Sequence, residues 1–211
     1  MAVGAAHSAS IRCRSANDEG ERGTTSVGSL ERREAWPIWA TEPVVIVDYD
    51  DRWALQAAEE RQCLLGLLGL WLVEDVHHVG STAIPGMPAK PIIDLMAGVG
   101  SLDDAPALAR VLAPHDWHFV PPQRDARLWR RFFVKVASGH RIAHLHLLDP
   151  GTTQWAEQLR FRDRLSTQPA LAAKYAELKR RLAARVSHDR EAYTEGKSPF
   201  VRRVLGGRDE T

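Results

Sequence analysis

The sequence predicts an α+β fold, a mixed β-sheet flanked by helices and followed by a C-terminal helical segment. Three observations carry this. Short runs rich in Val, Ile, Phe and Leu, bounded by Gly and Pro, recur up to Asp149. Segments with apolar residues at helical spacing lie between them. From Thr153 onward only the helical pattern remains.

Residues 1–42 are rich in Ser, Gly, Arg and Glu and poor in periodic apolar residues, which reads as a disordered leader ahead of one domain at 43–211. Its "WPIW" (36–39) is either a docking motif or a pair of stray tryptophans, and the second reading is the simpler. Val44–Val47 suits a short strand. "DDRWALQAAEERQCLLGLLG" fits a helix capped by Asp50 or Asp51. "VEDVHHVG" reads as a strand ending at Gly80, and "PIIDLMAGV" as the next strand. "SLDDAPALARVLAPHD" opens with Ser and acids and then turns helical. "LWRRFFVKVA" and "RIAHLHLLD", joined through "SGH", predict an antiparallel hairpin. "TQWAEQLRFRDRLSTQP" and "PALAAKYAELKRRLAARV" predict two helices, the second starting at Pro169 with its charges facing solvent. "DREAYTEGKSPFVRRVLGG" predicts a weaker third, interrupted by Gly196 and Pro199.

A chain of 211 residues suits one domain with a tail. Lys plus Arg number 28 and Asp plus Glu 27, so bulk charge gives nucleic acid no hold, and no base-stacking aromatic set is evident. Cys13 and Cys63 show no metal-ligand spacing, which points to a reducing, cytoplasmic setting. The first residues carry no apolar signal segment. The run "CLLGLLGLWLV" is about half a membrane span and contains glycine, so no membrane association is expected.

The chemistry concentrates in "HHVGSTAIPGMPAKPIIDLM" (77–96). Gly80 allows a close backbone approach to a ligand. Ser81 and Thr82 offer hydroxyls and N–H groups to phosphate oxygens. Asp94 sits among Ile92, Ile93 and Leu95, where a carboxylate needs a partner or a cation, and Lys90 stands ready to offset negative charge. The alternative for this segment alone is a tight turn with a Ser cap and an Asp bonded to backbone N–H groups.

"HHVGSTAIPGMPAKPIIDLMAGV" resembles the signature of the GrpB family. "YDDRWALQAAEE", "HLHLLDPGTTQWAEQLRFRDRL", "KYAELKRRLA" and "EAYTEGKSPFV" resemble further family segments in the right order, over roughly residues 44–205. The resemblance implies a nucleotidyltransferase-like fold related to polymerase β. In that fold Gly-Ser holds a triphosphate, and two carboxylates at i, i+2 with a third on a later strand hold two Mg²⁺ ions. Gly80, Ser81 and Asp94 fall where the pattern wants them, with 12 residues between Ser81 and Asp94. The second carboxylate does not: position 96 is Met96, a poor ligand for an oxygen-seeking ion.

His144 and His146 alternate in "AHLHLLD" and so share one strand face; with Asp94 they make a His/His/Asp set suited to Zn²⁺, Mn²⁺ or Fe²⁺. The other reading is a pair of histidines lining a half-buried polar face. His78, on the strand before Gly80, joins them if that strand turns it inward. Arg162 and Lys197 are candidate phosphate contacts, whereas Arg160 and Arg164 fit a solvated helix face.

Two functions stay open. One is an enzyme that binds a nucleoside triphosphate with Mg²⁺ or Mn²⁺, or with Zn²⁺, and transfers a nucleotidyl group to a small-molecule acceptor, Asp94 being the catalytic carboxylate. The other is a catalytically degenerate module that binds a nucleotide or a protein partner. They part on whether Asp94, His144 and His146 converge beside Gly80 and Ser81.

Overall fold

The computed structural model describes residues 37–206. Five strands form one mixed sheet in the order β1-β2-β5-β4-β3. They are β1 (Leu72–Val79), β2 (Ile93–Val99), β3 (Trp117–Val120), β4 (Arg130–Ala137) and β5 (His140–Leu148). β2 runs parallel to β5, and the other neighbouring pairs are antiparallel. The helices are α1 (Arg52–Leu68), α2 (Ala105–Leu112), α3 (Pro122–Asp125), α4 (Thr153–Thr167), α5 (Pro169–Val186), α6 (Arg190–Glu195) and α7 (Ser198–Leu205). The α+β class, the sheet and the helical C-terminal segment are as expected from the sequence.

One sheet face packs Leu95, Ala97, Leu145, Leu147 and Phe133 against Leu64 and Leu68 of α1 and Leu108 of α2. Burial of such apolar area, at roughly 25 cal/mol per Å², is the main force holding this layer. On the opposite face Val79, Met96 and Leu148 pack under Trp155 of α4. A third cluster joins Ile84 and Met87 to Leu165 of α4 and Tyr175 and Ala176 of α5. It pins the loop between β1 and β2 to the C-terminal helices, and that loop carries the Gly80–Lys90 motif.

The β4–β5 hairpin turns on Ser138 and Gly139, both at positive φ (51° and 76°), which matches the right-handed twist of its strands. Several expectations need correcting. Val44–Val47 forms no strand: Val47 makes one isolated bridge with Ala89. Ala89 lies between Pro88 and Pro91, whose nitrogens cannot donate, so no ladder extends from it. Of the two acids expected to cap α1, Asp51 holds the N-cap position without a side-chain bond, and Asp50 supplies the bond, its Oδ1 accepting from the Arg52 N–H at 3.0 Å. β3 and α3 were not foreseen, being only four residues each. The weak last helix is two helices broken at Gly196–Lys197, α6 being capped by Asp189.

Among the described residues no helix is long and apolar enough to cross a membrane. The expected leader lies mostly outside the described residues; residues 37–42 are described, and Trp39 packs its ring on His118 at 5.6 Å.

Candidate phosphate-binding site

Strand register assembles the centre. Parallel pairing sets Asp94 beside His144 and Met96 beside His146, while the antiparallel neighbour sets Asp94 beside Val79. Alternation then brings Asp94, His144 and His146 onto the α4 face of the sheet. His144 Nδ1 lies 2.9 Å from Asp94 Oδ1, and His146 Nε2 lies 3.5 Å from the same oxygen. Phe132, opposite His146 on β4, packs its ring on both imidazoles at 5.0 and 5.2 Å.

The proton positions follow from who can donate. An ionised carboxylate only accepts, so His144 Nδ1 carries a proton and donates it to Asp94. His144 Nε2 is then a lone pair, and it is buried without a hydrogen-bond partner. A guanidinium only donates, so Arg130 Nη1, 2.6 Å from His146 Nδ1, makes that nitrogen an acceptor. The proton of neutral His146 therefore sits on Nε2, facing Asp94. Arg130 is held in turn by two hydrogen bonds to the buried Asp125, at 2.8 and 2.5 Å.

Burial pushes the Asp94 carboxyl up, but the hydrogen bonds from His144 and His146 outweigh it and hold the group well below its ordinary range. Burial drives His144 down to about 4 against the opposing pull of Asp94. Burial, helped by Arg130, also lowers His146. At neutral pH the centre is one carboxylate and two neutral rings.

Asp94 Oδ1 is taken by the histidines, and Oδ2 faces the Gly80 turn. A Cβ built at Gly80 would fall 2.5 Å from Oδ2, and the residue has φ 70° and ψ −166°, a conformation open in practice to glycine alone. The Gly80–Ser81 backbone therefore lies directly against the free carboxylate oxygen. Ser81 begins the short 3-10 turn Ser81–Ala83, and its hydroxyl interacts with the Tyr175 phenol.

Three lysines gather around this carboxylate. Lys90 and Lys197 share the buried Tyr193 ring, with Nζ 5.8 and 4.6 Å from its centroid. Lys179 is 2% exposed, donates to the Pro88 carbonyl at 2.5 Å and lies 4.9 Å from the Tyr175 centroid. Burial lowers all three, Lys179 to about 7 and Lys197 to about 8, while Asp94 favours their charged forms. Around Asp94 the lysines thus outnumber the acid.

Other sequence candidates take different places. Thr82 is buried, donating to the Ile92 carbonyl at 3.4 Å and lying 3.0 Å from His78 Nε2, so its hydroxyl is engaged within the protein. His78 pairs with Leu95 and so belongs to the sheet face opposite Asp94. Arg162 donates to the His78 carbonyl at 3.0 Å and braces the end of β1 beside the turn. Arg164, expected on a solvated face, donates to the Val204 carbonyl at the end of α7.

Sequence reasoning missed Lys179, Tyr193, Arg130 and Asp125. Lys179 was taken for a solvent-facing charge, yet it follows Tyr175 at i+4 and so occupies the inward stripe of α5. That position was the available signal. Nothing local in the sequence marks the other three.

The donor set admits a divalent cation in part. Asp94, His144 and His146 can each offer one atom, all within 4.8 Å of one another. The partnerless Nε2 of His144 suits a ligand, whereas the Arg130 contact leaves His146 Nε2 protonated. Three nearby lysines oppose a bare cation. A cation arriving with a polyphosphate meets no such opposition.

Comparison with known proteins follows the same lines. The GrpB family model ("GrpB protein") matches residues 43–206. The chain belongs to the GrpB family. The Glutamate-rich protein GrpB of Alkalihalophilus pseudofirmus is 31% identical over 164 residues, covering 77% of this chain and 94% of that one. The UPF0157 protein YqkA of Bacillus subtilis is 31% identical over 165 residues, covering 78% of this chain. This match spans about half, 47%, of the length of YqkA. The crystal structure of the conserved protein GrpB from Enterococcus faecalis overlays with a TM-score of 0.67 at 28% identity, covering 76% of this chain and 94% of that one. The GrpB domain thus holds the sheet, the Gly80 turn and all three lysines.

Proposed function

We propose that this GrpB protein binds a nucleoside triphosphate together with a divalent cation, its phosphates seated between the Gly80–Ser81 turn and the three lysines. One observation carries the reading: a single ionised carboxylate, with one oxygen free at a glycine turn, lies among Lys90, Lys179 and Lys197. An isolated anion site would not need the carboxylate, and an isolated cation site would not tolerate the lysines. A metal–polyphosphate complex satisfies both. Asp94, through its Oδ2, would hold the cation, which there would neutralise phosphate charge.

Turnover on this reading is nucleotidyl transfer to a small-molecule hydroxyl. The acceptor oxygen bonds to the α-phosphorus, the bond to the β-phosphate oxygen breaks, and pyrophosphate leaves. The hydroxyl proton needs a base, and the buried, unpartnered Nε2 of His144, oriented by Asp94, is available for it. Met96 favours a second reading, nucleotide binding without transfer. It stands where the nucleotidyltransferase pattern has a second acid and is fully buried beneath Trp155.

The test is isothermal calorimetry on the full chain with ATP, GTP, CTP and UTP, each with Mg²⁺ and with Mn²⁺, repeated on Asp94→Ala. Binding that needs the cation and is lost in the variant is the expected result. No binding with any pair, or binding indifferent to both cation and Asp94, refutes the proposal. Pyrophosphate release with an added acceptor distinguishes transfer from binding alone.

A further inference from the structure

Two arginines near the lysine cluster are satisfied in an unusual way. Arg141 on β5 donates to the carbonyls of Trp39 and Ala40 at 2.7 and 3.1 Å. Arg190 on α6 donates to those of Glu42, Ala40 and Trp39 at 2.9, 3.0 and 3.5 Å. Both forks thus converge on the same short segment, and all five bonds end on three neutral carbonyls. Among the described residues neither guanidinium has a salt bridge, although Glu42 lies near enough to favour both charges. The Glu42 carboxylate is itself turned to His140, at 2.6 Å. The segment is further held by the Trp39 ring, 5.2 Å from the Arg141 guanidinium. Beside it opens a cavity of about 460 Å³ lined by Ala40, Thr41, His188, Asp189 and Arg190.

Two like charges side by side need a reason. Each disfavours its neighbour: Arg190 lowers Arg141, and both lower Lys90. Arg141 and Arg190 thus form a cationic pair under residues 39–42, near enough to Lys90 for their charges to act on it. Carbonyl oxygens fill the forks of the guanidiniums without neutralising them. Phosphate oxygens would do both, through shorter and stronger charge-assisted bonds. The GrpB match begins at residue 43, so the covering segment precedes it while both arginines lie inside it.

We propose that Arg141 and Arg190 form an anion subsite for a phosphate or pyrophosphate group, near Lys90, and that residues 39–42 cover it with their carbonyl oxygens. The subsite extends the phosphate site proposed above and rests on that reading. A ligand reaching it must displace the segment, so loosening the segment raises apparent affinity.

Tripolyphosphate is the probe, titrated calorimetrically into the full chain at fixed pH and salt. Trp39→Ala removes the ring that holds the segment on Arg141, and tightening of roughly five- to tenfold is expected from the loss of a contact of that kind. Glu42→Gln, which keeps the backbone and removes the negative charge near both arginines, should also tighten binding. Adding Arg190→Gln or Arg141→Gln to Trp39→Ala should return affinity to the wild-type value or below. Thermal melts establish that each variant is folded, and the Glu42 variant carries the test if the Trp39 variant is not. Affinity unchanged or weaker in the loosened variant overturns the subsite, as does tightening that survives both arginine substitutions. If wild-type binding is abolished by Lys90→Met yet indifferent to Trp39→Ala and Glu42→Gln, the subsite alone fails. If no form binds tripolyphosphate, the subsite and the phosphate reading fall together.

Discussion

Replacing Gly80 with alanine tests the link between the turn and the carboxylate. The new methyl group would stand 2.5 Å from Asp94 Oδ2, 2.9 Å from its Cβ and 3.0 Å from its Cγ. Asp94 cannot retreat freely, because Oδ1 is held by His144 at 2.9 Å. Backbone strain at this φ and ψ costs about 1–3 kcal/mol. Displacing the carboxylate adds the loss of a charged hydrogen bond, about 1.5–3 kcal/mol. The sum is roughly 2.5–6 kcal/mol, and at about 2–4 °C per kcal/mol for a domain of this size the melting temperature should fall by roughly 5–24 °C. Gly86→Ala is the internal control. Gly86 also has positive φ, 73°, but its Cβ would meet nothing within 4 Å. It should lose only the left-handed strain, about 1–2 kcal/mol. Calorimetric melts and urea titrations of the two variants read the difference. If Gly80→Ala is no less stable than Gly86→Ala, the carboxylate does not press on the turn and the site geometry is misread.

Two further outcomes follow from the same centre. His78 and His144 are held at about 4 in the fold, below their ordinary 6.5, so the unfolded chain takes up protons first. Their contribution is intact above about 6.5 and is lost progressively as pH falls toward 4; Asp94, itself depressed, adds a further loss below its ordinary value of 3.8. Melting temperature should therefore be lower at pH 5 than at pH 7.5, with a shallower dependence in His144→Gln; equal slopes in the two proteins would contradict the assignment. Met96→Asp places a carboxylate two residues from Asp94, yet at a fully buried position beneath Trp155, so it should destabilise by roughly 2–7 kcal/mol, whereas Met96→Leu should cost under about 1.5 kcal/mol. A stable Met96→Asp protein with new Mn²⁺ affinity would show that this position is open to the site.

The local pattern of the chain was enough for most elements and for the first layer of the site. Alternation in "AHLHLL" put His144 and His146 on one face, and the Gly-Ser turn with Asp94 followed from residue types and spacing. Strand pairing was not available locally. Only the parallel register of β2 and β5 brings Asp94 to His144, and only the lone Val47–Ala89 bridge shows that the first apolar run builds no ladder.

What the sequence by itself determined is therefore the class of fold, the family and the set Asp94, His144 and His146 that the strands bring together. Those are properties of short-range pattern, set by side-chain period and backbone preference. The tertiary structure alone decided how the groups are charged and what they face. Lys179 reads as a solvated helix charge until α5 packs it against Pro88. Arg130 reads as one basic residue among several until Asp125 aims it at His146 and fixes the ring's proton. Charge state and tautomer depend on burial and on partners tens of residues away, and neither is encoded within one turn or one strand.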